Sequence, residues 1–274
     1  MKAHRGPGDG WVDEQIQVGG TSVHYRRSTT EDGVALVHLH GFAISGAYLM
    51  PTARALAARG VNVVPDLPGY GRSVRRDRVL DIPGLADSTI AILDGLGIDK
   101  AVLVGNSMGC AVSLEVAHRA PERVHRLVLV SPAGGVHNQP MGRAVGQLAR
   151  DVFRESTRMF PVAVPDYVRF GPLNGLRLFG ELTRFPSLER LLNTPVPTLA
   201  VLGTRDPLLP TPDRIREVAR LAPEHLTIAV IDRAAHAVNF SHPTELAGVI
   251  GLWLDDAVGD GSLLPPGVRV VAPT

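Results

Sequence analysis

A chain of 274 residues, 45% hydrophobic and 20% charged, has an ordinary globular composition and enough length for a full core. Its 28 Lys and Arg against 27 Asp and Glu leave a formal charge of +1, which argues against a charge-driven nucleic-acid or anionic-membrane partner. One cysteine excludes an internal disulfide, and no apolar run is long enough to span a bilayer. The opening residues, MKAHRGPGDGWVDE, lack the apolar core of a secretory leader, so a cytoplasmic protein is expected. The ten histidines show neither HExxH spacing nor a cysteine partner, so no metal is expected.

Short β-branched runs recur along the chain, each followed by a turn and a helical pattern. Residues 14–18 and 22–27 flank Gly19 and Gly20 and read as an opening hairpin. A buried strand over 34–38 leads into an amphipathic helix around 48–59. Strands over 61–64 and 101–104 are separated by a helix near 82–96, with Gly60 and Gly97 at helix ends. Strands at 127–130, 198–202 and 226–231 complete the series. Continuous apolar strands alternating with helices predict an α/β fold built on a mostly parallel sheet covered on both faces.

That rhythm breaks over residues 134–194, where the pattern is helical without a clear strand. So long an insertion predicts a helical cap over the strand ends, as do the aromatics Phe153, Phe160, Tyr167, Phe170, Phe179 and Phe185. The organisation expected is therefore a core over 14–133 and 195–256, an inserted cap over 134–194, and a loosely ordered Gly/Pro-rich tail over 257–274.

Gly105-Asn106-Ser107-Met108-Gly109 matches G-x-S-x-G, the sharp strand-to-helix turn that exposes a nucleophilic serine. A serine hydroxyl needs a base to remove its proton, and that base needs an orienting carboxylate. Asp206 in LGTRDPLLP and His236 in IDRAAHAVNFSHP each follow a predicted strand, in the order serine, acid, histidine. His225 precedes its strand, His242 stands before Pro243 in a helix-start turn, and Asp232 lies too near His236 to approach from a separate loop. An oxyanion needs two aimed donors: the backbone N–H of Met108 and that of Phe42, in the loop HLHGFA, are the candidates. His40 reads as a buried structural residue and Cys110 as a small packed one. The loop Asp66-Leu67-Pro68-Gly69-Tyr70-Gly71-Arg72-Ser73 lacks a phosphate-binding signature and reads as turn structure bordering the site.

Together HGF, DLPGYGRS, GNSMGC, GTRDPLLP and AHAVNFSHP resemble the alpha/beta-hydrolase superfamily over about residues 20–255. The resemblance implies a mostly parallel eight-stranded sheet, a cap, and hydrolysis through an acyl-enzyme. Ser107 would be the nucleophile, His236 the base and Asp206 its orienting acid. No cofactor is implied. Asn106 makes GNSMG similar to the meta-cleavage-product hydrolases, which split a carbon–carbon bond. Two departures from that group stand out: GFAISG replaces its glycine-rich oxyanion loop, and Ala237 and Val238 follow His236 where it commonly has tryptophan. That group also uses a cap arginine for the substrate carboxylate, and Arg154, Arg158, Arg169, Arg177 and Arg184 are all available. Epoxide hydrolases and haloalkane dehalogenases carry aspartate where Ser107 stands. The expected function is hydrolysis of a small, largely apolar ester, with carbon–carbon hydrolysis of a dienoate as the alternative and a small-molecule binding protein as the non-enzymatic one. The partner is a small-molecule substrate; no feature of the sequence sets an oligomeric state.

Overall fold

The computed structural model describes residues 4–5, 10–74, 79–132, 157–208, 219–221 and 224–271. Its strands are β1 (His4–Arg5), β2 (Trp11–Val18), β3 (Thr21–Ser28), β4 (Ala35–Leu39), β5 (Asn62–Pro65), β6 (Ala101–Asn106), β7 (Val124–Val130), β8 (Thr198–Gly203), β9 (Leu226–Ile231) and β10 (Val268–Val271). They form one sheet in the order β1-β2-β3-β5-β4-β6-β7-β8-β9-β10. Every pairing from β5 through β9 is parallel, while β1, β2, β3 and β10 pair antiparallel. The expected eight-stranded sheet is β2 through β9, and two short edge strands extend it.

The hairpin closes at Gly19 and Gly20, both at positive φ, with Val18 opposite Thr21. Its twist-matched two-residue turn requires that backbone. Neighbouring residues of the central strands feed opposite faces. Val37, Leu103 and Leu127 join a core with helices Ile82–Gly95 and Met108–Arg119. Leu36, Val102 and Val128 join another with Leu246, Ile250 and Trp253 of helix Pro243–Leu254. Burial on both faces is why these strands read as unbroken apolar runs.

Two expectations need correction. The helix foreseen over 48–59 is three pieces: a 3-10 turn Gly46–Leu49, a helix Met50–Ala55 and a second 3-10 turn Ala57–Arg59. Pro51, which lacks an N–H, fits the start of a helix and not the interior of a longer one. The tail over 257–274 is not loosely ordered throughout. Val268–Val271 pairs with Ile231–Ile228 and covers the edge that β9 would otherwise leave open. Gly267, at φ 75°, turns the chain into this strand while its carbonyl accepts from the Asp232 N–H at 2.8 Å.

His38 of β4 is fully buried, its Nε2 2.8 Å from Asn62 Oδ1. The Asn62 amide nitrogen donates to the carbonyls of Leu56 and Gly60, so His38 is the donor to Oδ1. Burial pulls its pKa down to about 4, against which the Asn62 bond acts only weakly. An unfolded histidine titrates near 6.5, so below that pH the unfolded chain takes up a proton the folded one refuses. Stability is expected to fall by roughly 3 kcal/mol between about pH 6.5 and pH 4 through this residue. Urea unfolding of wild type and His38→Gln across that window checks it: the wild-type curve should be the steeper, and parallel curves would contradict the assignment.

Candidate active site

The carboxyl ends of β4, β6, β8 and β9 converge on one edge of the sheet. Ser107 sits between β6 and helix Met108–Arg119 at φ 56° and ψ −115°, a backbone that L residues rarely adopt. The turn is that tight because its glycines admit no side chain. A Cβ on Gly105 would overlap the Gly109 carbonyl, and one on Gly109 would overlap the Leu39 carbonyl of β4. Ser107 N–H donates to Val130 O at 3.0 Å, fixing the turn against the end of β7.

Asp206 and His236 stand on the loops after β8 and β9. His236 Nδ1 lies 2.7 Å from Asp206 Oδ2, with the carboxylate wholly shielded from solvent. The two loops are stitched together: Arg205 N–H donates to Ala234 O at 2.9 Å, and Arg233 N–H to Thr204 Oγ1 at 2.8 Å. Gly203 permits this approach, since a Cβ there would overlap the Ala234 carbonyl. Burial by itself raises the Asp206 pKa, but the facing His236 and the Leu208 N–H outweigh it and hold the group below the ordinary carboxylate range. Asp206 is therefore an anion wherever an imidazole titrates, and it fixes the proton of a neutral His236 on Nδ1.

Ser107 and His236 border one pocket with Gly41, Phe42, Ile44, Tyr48, Met159, Tyr167 and Ala237. Gly41 is pressed against the serine: a Cβ on it would stand 3.3 Å from Ser107 Cβ and 3.0 Å from the Tyr48 hydroxyl. Phe42 borders the same pocket as Ser107, and Met108 is the first residue of the helix that follows it. The competitors are elsewhere engaged: Asp232 pairs with Arg269 at 2.7 Å, and His242, just before helix Pro243–Leu254, has its Nδ1 2.9 Å from Ser241 Oγ.

His40 is buried and neutral in character. Its Nε2 accepts from Leu67 N–H at 3.0 Å, so Nδ1 carries the proton and donates to Gly41 O at 2.9 Å. The glycine-rich loop after β5 wraps a carboxylate that the sequence reading passed over. Buried Asp66 accepts from Gly46 N–H and Arg26 through Oδ1, and from Arg72 N–H and His24 through Oδ2. Its burial opposes ionisation, yet His24 and Arg26 override that and drive its pKa far below the usual range. Cys110 is buried, and that burial pushes its thiol pKa up, away from a reactive thiolate.

Between β7 and β8 run helices Phe160–Phe170, Pro172–Arg184 and Ser187–Asn193. The first lies over the site. Met159 and Tyr167 border the pocket, and Phe170 stacks on Tyr70 at 4.9 Å and meets Phe42 edge-on at 5.7 Å. Asp166 accepts from Ser45 N–H at 2.8 Å, and Arg169 donates to Gly71 O at 2.8 Å. Phe170 and Phe185 are buried, whereas Phe160 and Tyr167 are about two-fifths exposed at 40% and 41%. Phe153 and Arg154 lie outside the described residues, as does the side chain of Phe179. Among the described residues no cluster of His, Cys, Asp or Glu could hold a metal, and no helix is long and apolar enough to cross a membrane.

Residues 36–249 match the sequence model of the Alpha/beta hydrolase family. The chain belongs to that family. Among alpha/beta hydrolases and their relatives, it is 30% identical over 250 residues to a dihydrolipoyllysine-residue acetyltransferase component of an acetoin cleaving system from Pseudomonas putida. That match takes in 84% of this chain and 65% of the relative, so the chain spans just under two thirds of the relative's length. It is 28% identical over 249 residues to a pimeloyl-[acyl-carrier protein] methyl ester esterase from Aeromonas salmonicida, covering 80% of this chain and 94% of that one. A meta-cleavage product hydrolase from Pseudomonas fluorescens IP01 superposes with a TM-score of 0.70 at 21% identity, covering 89% of this chain and 98% of the other. At that identity the superposition speaks for the alpha/beta-hydrolase fold alone.

Proposed function

We propose that the protein is a serine hydrolase that cleaves a small, largely apolar carboxylic ester through an acyl-enzyme. The observation that carries this reading is the 2.7 Å bond from His236 to a buried Asp206, beside a serine held at φ 56° in the same pocket. His236 Nε2 takes the Ser107 proton as Oγ attacks the ester carbonyl. The N–H groups of Phe42 and Met108 receive the oxyanion. Collapse of the tetrahedral species breaks the carbon–oxygen bond, and the proton on His236 leaves with the alcohol. Water, deprotonated by the same histidine, then releases the acid and restores Ser107. The helices between β7 and β8 act as the cap, with Met159 and Tyr167 closing the substrate side.

The ester reading is favoured over carbon–carbon hydrolysis by the chemistry of the pocket lining. Phe42, Ile44, Met159 and Ala237 are apolar, and none of Arg158, Arg169, Arg177 and Arg184 is among the lining residues described. The relative from Aeromonas salmonicida, an esterase by name, is matched over nearly its whole length, which points the same way. Asn106 does not speak for the dienoate, because its amide hydrogens are given to Val130 O and His236 O. A panel of p-nitrophenyl esters of increasing acyl length, run beside a ring-cleavage dienoate, tests the choice. Turnover of the short esters with an inert dienoate is the expected result; the reverse order sinks the ester reading.

A further inference from the structure

We infer that Tyr48 is a positioning residue of the reaction: its hydroxyl bridges the oxyanion loop to the nucleophile turn through Asn106 and thereby sets where the Phe42 N–H points. This rests on the reading of Ser107 as the nucleophile and of Phe42 as an oxyanion donor.

Tyr48 lies in the 3-10 turn that follows the loop carrying Gly41 and Phe42, and it is only 2% exposed. Its hydroxyl receives the Gly41 N–H at 2.8 Å and lies 2.5 Å from Asn106 Oδ1. The direction of each bond is fixed by chemistry. A carboxamide oxygen only accepts, so the tyrosine proton goes to Asn106, and a hydroxyl lone pair is left for Gly41 N–H. Asn106 donates in turn to Val130 O at 3.1 Å and His236 O at 3.3 Å. Two side chains thus connect the oxyanion loop, the residue before Ser107, the end of β7 and the backbone of His236.

Tyr48 and Asn106 are both buried, so loss of the bond between them has a defined consequence. Without the hydroxyl, the Gly41 N–H and Asn106 Oδ1 are both left buried with no bond from this residue. The Phe42 N–H shares its peptide plane with Gly41 O, held by His40 Nδ1 at 2.9 Å. Tyr48 anchors the peptide on the other side of the Gly41 Cα, so releasing that anchor lets the backbone at Gly41 shift and re-aims the neighbouring donor. A misaimed oxyanion donor weakens binding of the transition state and leaves binding of the ester itself nearly untouched.

The test is Tyr48→Phe, which removes one oxygen and keeps the ring. With a short p-nitrophenyl ester, kcat should fall about 10- to 100-fold, less than the roughly 100- to 1000-fold seen for losing a whole oxyanion donor, while KM stays within about twofold. Affinity for a trifluoromethyl ketone, which adds to Ser107 as a tetrahedral species, should fall by the same factor. The carboxylic acid product should bind as before. Asn106→Ala should show the same pattern. The double variant should be no slower than Asn106→Ala, because both changes break one bridge. If Tyr48→Phe does not fold, Asn106→Ala alone must show the matched loss in kcat and ketone affinity. A wild-type kcat in Tyr48→Phe, a loss confined to KM, or losses that multiply in the double variant would overturn the bridge. A wild-type protein inert to both esters and ketone would instead defeat the serine-hydrolase reading beneath it.

Discussion

Ser107→Gly is expected to abolish ester turnover and at the same time to make the protein more stable. At φ 56° and ψ −115° the serine holds a conformation that suits glycine, and the strain of keeping a Cβ there is of order 1–3 kcal/mol. Glycine relieves that strain at an entropic cost of roughly 0.5–1 kcal/mol, so a net gain of about 1 kcal/mol is expected in urea unfolding. Turnover should drop about 10⁴- to 10⁶-fold, the scale on which a serine hydrolase depends on its nucleophile. Ser107→Ala separates the two effects. It removes the oxygen but keeps the Cβ, so activity should vanish with no comparable gain in stability. Equal stability of the two variants would mean that the turn is not strained by its side chain.

Asp206→Asn is expected to reduce kcat about 10⁴-fold, comparable with the equivalent change in a serine protease, while leaving the fold intact. The carboxylate at 2.7 Å from His236 Nδ1 can only accept, so it keeps the imidazole proton on Nδ1 and makes Nε2 the acceptor for the serine proton in the proposed reaction. An asparagine can turn its NH2 toward Nδ1, whereupon the proton moves to Nε2 and the base is lost. The same substitution removes a buried charge whose ionisation the folded state favours. Sign and window follow from that lowered pKa: the contribution of Asp206 to stability is complete above the ordinary carboxylate value, about 3.9, and is lost as the pH falls below it. The variant should therefore lose stability less steeply than wild type below about pH 4. A kcat within tenfold of wild type would remove Asp206 from the role of orienting acid.

The candidate triad could be read from the sequence because each member follows a strand that announces itself by an apolar run. G-x-S-x-G carries its own structural reason, which the overlaps at Gly105 and Gly109 make explicit. Tyr48 and Asp66 were missed for a shared reason. Their partners are backbone groups of turns, such as Gly41 N–H and Gly46 N–H, which no hydrophobic periodicity encodes. The aromatics of the inserted helices are in the sequence only a sign of a cap, and pattern does not tell which of them pack and which face the pocket: Tyr167 lines it while about two-fifths exposed, whereas Phe170 is buried. β10 escaped notice because VRVV follows a Gly- and Pro-rich stretch, and a four-residue strand owes its existence to the waiting edge of β9.

The central claim is that Ser107 is an activated nucleophile, and a fluorophosphonate probe reads that property directly. Phosphonylation requires attack by the serine oxygen and no knowledge of the natural substrate. Intact mass followed by peptide mapping should show one adduct per chain, carried by the peptide that contains Ser107. The adduct should be missing in Ser107→Ala and form much more slowly in Asp206→Asn. Wild-type protein that stays unmodified in excess probe, or that takes the label on another residue, would contradict the account.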